Sequence, residues 1–80
     1  MITKPMEDLL DFILQNPKVT SAGFTYKKDN PDTGITTTIL TVYTIDDCKA
    51  CTYTAVEGYN SPEQAYNFFM KYWITLSETL

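Results

Sequence analysis

The chain contains no arginine and no histidine. Without histidine it lacks the commonest general base and the commonest metal ligand. Without arginine it lacks the planar fork that grips phosphate and guanine in two places at once. Two cysteines are too few for a disulfide scaffold, and no glycosylation sequon is present. The glycines at Gly23, Gly34 and Gly58 stand alone, so no phosphate-cradling loop can be built from them. Serines are few (Ser21, Ser61 and Ser77), and none has a base partner identifiable from the sequence. No apolar run approaches the roughly 20 residues needed to span a bilayer. The segment Met1–Asp8 is acidic and interrupted by Pro5, unlike a signal peptide, so a cytoplasmic address is expected.

What is present is acidic and aromatic. Six lysines face ten acids for a net charge of -4. An acidic chain repels a phosphate backbone, so a protein partner with a basic surface is expected rather than direct contact with nucleic acid. An apolar content of 44%, with 14% aromatic, argues for a folded globule. Eighty residues make a single domain, 1–80, with a modest core.

The strongest local signal lies near the end. Ser61 can cap a helix, Pro62 suits its first position, and Gln64 can complete a capping box. Ala65, Phe68, Phe69, Tyr72, Trp73 and Leu76 then recur at helical spacing. A first helix is expected after Thr3, with Met6, Leu9, Leu10, Ile13 and Leu14 on one face and Glu7, Asp8 and Asp11 on the other; Asn16-Pro17 stops it. Between the helices the period changes to two. Strands are expected over Lys18–Lys28, with Ala22, Phe24 and Tyr26 on one side, over Ile35–Ile45, and over Ala50–Val56. Loops over Lys28–Gly34 and Asp46–Lys49 join them.

The order α-β-β-β-α implies an α+β fold: a three-stranded antiparallel meander with both helices on one face. On the second strand Ile35, Ile39, Tyr43 and Ile45 share one side, and on the third Cys51, Tyr53 and Ala55 do. An odd-length hairpin loop brings these sets onto one sheet face, the expected core. Thr36, Thr38, Thr44, Thr52 and Thr54 then lie on the other face, among Leu40, Val42 and Val56. A bulge or a one-residue shift in the turn exchanges the two faces.

Candidate chemistry is sparse. Cys48-Lys49-Ala50-Cys51 has redox spacing, but the pair sits at a hairpin rather than a helix N-terminus, and two thiols without histidine fall short of a four-ligand zinc site. Two reduced thiols are the simpler reading; a thiol or metal function stays as an alternative. The loop acids Asp29, Asp32, Asp46, Asp47 and Glu57 lack the alternating spacing of a calcium loop. No enzyme activity and no cofactor are expected. Tyr66, Met70 and Ile74 lie on a flank of the last helix, which either packs under the first helix or offers a contact surface.

The element order is similar to that of the double-stranded-RNA-binding domain. That family grips phosphate with a lysine-rich start to its second helix; here the stretch is Ser61-Pro62-Glu63-Gln64, so RNA binding is not implied. In size, acidity and tyrosine content the chain resembles the small phage-encoded inhibitors of bacterial defence systems, anti-CRISPR proteins among them. That resemblance implies a non-catalytic blocker of a nucleic-acid-binding defence protein, acting through Asp29, Asp32, Asp46, Asp47 and Glu57; Tyr66 and Met70, on the flank of the last helix, are candidate contacts on their own account. The alternative is a structural or self-associating module, a homodimer formed through the last helix or an exposed strand edge.

Overall fold

The computed structural model describes residues 2–30 and 32–80, the side chains of residues 29 and 30 excepted. Its element order is α1 (Lys4–Leu14), β1 (Val19–Asn30), β2 (Ile35–Thr44), β3 (Cys48–Val56) and α2 (Pro62–Ser77). The strands form one antiparallel sheet in the order β1-β2-β3, and the helices pack on it, giving an α+β fold.

Local chemistry sets both helix starts. Thr3 takes the extended N-cap conformation of α1, but its side chain makes no capping bond; its carbonyl accepts Glu7 N–H at 3.0 Å. The cap of α2 is complete. Ser61 Oγ accepts Gln64 N–H at 3.3 Å, and Gln64 Oε1 accepts Ser61 N–H at 2.8 Å. Pro62 has no N–H, so two of the three orphan donors at that helix end are thereby satisfied. After α1, Asn16 closes the exit turn, accepting Lys18 N–H on its side chain and Val19 N–H on its carbonyl.

The core is a single cluster: Met6, Leu9 and Ile13 from α1, Val19, Leu40 and Val42 from the sheet, and Phe69, Trp73 and Leu76 from α2. Phe69 is fully buried and meets the Phe24 ring edge-on at 5.1 Å. Each such side chain contributes roughly 1.5–3 kcal/mol of burial. The α1 stripe is narrower than its spacing suggests, for Leu10 is half-buried and Leu14 exposed. On α2 the buried line runs through Phe69, Trp73 and Leu76, with Phe68 at the rim.

The central strand corrects the expected sheet faces. Burial along β2 alternates so that Thr36, Thr38, Leu40 and Val42 point into the core, whereas Ile39 and Tyr43 point away. The cause is the length of the β2–β3 turn. Tyr43 pairs with Cys48, which leaves four residues between them, an even number. Leu40 therefore sits opposite Cys51 and Thr38 opposite Tyr53, so the β3 face assigned to the core is correct and the β2 face is inverted. On β1, Phe24 and Tyr26 pair with Leu40 and Thr38, as the expected grouping of Ala22, Phe24 and Tyr26 requires. Cys48 and Lys49, expected in the turn, already belong to β3.

Candidate protein-contact site

The β2–β3 turn is held by a closed set of hydrogen bonds. Thr44 N–H donates to Asp47 O at 2.8 Å, and Thr44 Oγ1 donates to the same carbonyl and accepts Asp47 N–H, each at 3.1 Å. The Asp47 carboxylate accepts Cys48 N–H at 2.7 Å through Oδ1 and the Lys49 ammonium at 2.8 Å through Oδ2. The hydrogen bond from Lys49, reinforced by that from Cys48 N–H, holds the Asp47 carboxyl below the ordinary aspartate value. Asp47 is thus occupied in building the turn.

That rigid turn presents Ile45 and Asp46 at its tip. Ile45 is 74% exposed, and Tyr43, just before it, is 48% exposed. Beside them runs a groove of about 440 Å³ whose walls include Lys18, Ile45, Asp46, Lys49 and Leu76. An exposed aliphatic anchor, an aromatic and an acid on a pre-ordered turn are the ingredients of a protein contact.

The structure divides the other candidate acids. Asp32 lies in the β1–β2 loop and Glu57 just after β3, at the end of the sheet opposite Asp46 and Asp47. Ten strand residues separate the ends, roughly 30 Å. Glu57 is paired with Lys28 at 3.1 Å. The side chain of Asp29 lies outside the described residues. Tyr66 and Met70 are one turn apart on α2, half-buried against the core, and Tyr66 borders a shallow groove with Thr3, Pro5 and Glu63. The acids and the α2 flank therefore do not share one patch.

The cysteines are separated by the pleat. Cys48 is exposed and Cys51 half-buried. Three residues apart on a strand, they project to opposite sheet faces with Cα atoms about 10 Å apart, beyond the roughly 7 Å limit of a disulfide. Burial pushes the Cys51 thiol above its ordinary value. Among the described residues no group of three or more metal-ligating side chains converges.

Two further surfaces follow from the inverted β2 face. The uncovered face carries Ser21, Thr25, Thr37, Ile39, Thr41, Thr52 and Thr54. On the covered face, beyond the apolar core, Thr36 and Thr38 floor a cleft of about 220 Å³ between Tyr26, Tyr53 and Asn60. Neither surface follows from composition; both follow once the turn is counted as four residues. Among the described residues no helix is long and apolar enough to cross a membrane. No known protein family, curated protein or solved structure matches the chain.

Proposed function

We propose that the chain is a non-enzymatic protein-binding domain that engages its partner through the β2–β3 turn, with Ile45 and Tyr43 as apolar anchors and Asp46 as the charged contact. The observation that carries this reading is the exposure of Ile45 at the tip of a turn whose conformation is already fixed by Thr44 and Asp47. Holding a contact loop in place before binding spares the ordering cost that weakens flexible loops. The specific form we favour is a phage-type inhibitor, of the anti-CRISPR kind, that blocks a nucleic-acid-binding defence protein. The net charge of -4 supports a basic partner, since opposite fields speed encounter.

The test is competition. Purified nucleic-acid-binding proteins of bacterial defence systems are offered their nucleic acid with and without the chain, at low and high salt. Displacement by the wild type, weakened by Asp46→Asn and abolished by Ile45→Ser with the fold intact, is the expected result. Equal displacement by both variants, or none by the wild type, overturns the reading.

A further inference from the structure

The two edges of the sheet are built differently. The outer edge of β1 is irregular: its register shifts between Val19 and Ser21 and again between Lys28 and Asn30, and it carries Lys27 and Lys28. Shifts and lysines are the usual means of keeping an edge from pairing with another chain. β3 has no such shift and a single lysine. Its nine residues run in unbroken register with β2 and contain no proline, and the only charge, Lys49, is tied to Asp47.

The hydrogen-bond pattern shows which groups β3 leaves open. Thr44 N–H bonds Asp47 O, and Glu57 N–H bonds Gly34 O, in the register of the β2–β3 pairing. Alternation along an antiparallel ladder then makes Lys49, Cys51, Tyr53 and Ala55 the residues that bond β2. Cys48, Ala50, Thr52, Thr54 and Val56 turn their N–H and C=O groups outward. At the ends these groups are already used: Cys48 N–H by the Asp47 carboxylate, Val56 N–H by Asn60 Oδ1 at 3.0 Å, and Val56 O by Tyr59 and Asn60 N–H. Between those side-chain caps, Ala50, Thr52 and Thr54 are all exposed.

We infer that this open segment pairs with the same segment of a second copy, in antiparallel fashion about a two-fold axis at Thr52, to make one six-stranded sheet. The segment is symmetric about Thr52. Thr52 meets Thr52 of the other copy and Ala50 meets Thr54, each pair exchanging both of its hydrogen bonds, and the caps at Cys48 and Val56 mark where pairing stops. A side-chain contact accompanies the backbone one. Tyr53, on the core side of β3, stacks on Phe68 of α2 with ring centroids 4.9 Å apart, and Phe68 is 39% exposed at this edge. Pairing about Thr52 places Tyr53 opposite Cys51 of the other copy, which extends the apolar strip across the junction. This inference does not depend on the turn contact proposed above, since Ile45 and Asp46 lie outside the paired segment.

Amide exchange by NMR, run from about 10 μM to about 1 mM, tests it together with sedimentation. The expected result is a dimer at the upper concentration, with exchange at Ala50, Thr52 and Thr54 slowed about tenfold or more, while Cys48 and Val56, already bonded, change little. Thr52→Pro removes an N–H that β2 does not use, and Thr52→Lys sets two ammonium groups against each other across the axis. Both are expected to give monomers with the far-ultraviolet spectrum of the wild type; Thr25→Lys, on the same sheet face but on β1, remains dimeric. A wild type that stays monomeric at about 1 mM, or a Thr52→Lys dimer as strong as the wild type, overturns the proposal.

Discussion

Asp47 shows how a residue that looks like a binding group serves the fold instead. Its carboxylate ties Cys48 N–H and Lys49, and its backbone closes onto Thr44. Because Lys49 and Cys48 N–H lower its folded pKa, its stabilising effect is present above the ordinary aspartate value of about 3.9 and is lost as pH falls through the folded value. Asp47→Ala is expected to lower the melting temperature at pH 7 and to flatten the acid limb of the stability curve; Asp47→Asn, which keeps an acceptor for Cys48 N–H, falls between. Thermal melts from pH 2 to 7 check this. Cys51 and Tyr72 contribute to the alkaline limb, both raised first by burial. A raised folded pKa means the native state holds its proton longer, so stability falls once pH passes roughly 8.5, the ordinary thiol value. At pH 8 a thiol reagent is expected to modify exposed Cys48 quickly and Cys51 slowly; equal rates would contradict the burial.

At the scale of elements, β2 gives the sharpest test of the sheet. Leu40 is fully buried and Ile39, its neighbour, lies on the uncovered face. Leu40→Ala is expected to cost about 2–5 kcal/mol in urea unfolding. Ile39→Ala should cost clearly less, and a reversed ranking would restore the face order suggested by the isoleucines. The capping box of α2 gives a second test: Ser61→Ala is expected to cost about 1 kcal/mol. The helices, the strand order and the α+β class were legible in the sequence, because helical spacing in α2 and alternation in β1 are strong periodic signals. The β2 face was not. Ile35, Ile39, Tyr43 and Ile45 form the more apolar set, so pattern alone pointed them inward. Two threonines on the buried side blurred the contrast further. The decision rested on the turn, where Thr44 and Asp47 close four residues, a parity that no composition rule reveals. The site followed the same course: Asp46 was singled out as an acid, whereas Ile45, assigned to the core, turned out to be its exposed neighbour.

At the scale of the whole molecule the chain is a rod, 41 × 19 × 18 Å, with acids at both ends and a hydroxyl-rich sheet face between them. Every strand pairs with its neighbour in sequence, but the helical layer does not share that locality. Met6, Leu9 and Ile13 enter the same cluster as Phe69, Trp73 and Leu76, from opposite ends of the chain. A chain cut after Asn60 is therefore expected to bind a hydrophobic dye and to melt without a cooperative transition, since an isolated eleven-residue helix is marginal in water. A cooperative thermal transition from that fragment, without dye binding, would show that the first helix and the sheet suffice. During synthesis the same connectivity imposes a wait. The strands can close into hairpins as they leave the ribosome and cover part of α1, but the side of that helix that meets Phe69, Trp73 and Leu76 stays uncovered until α2 follows.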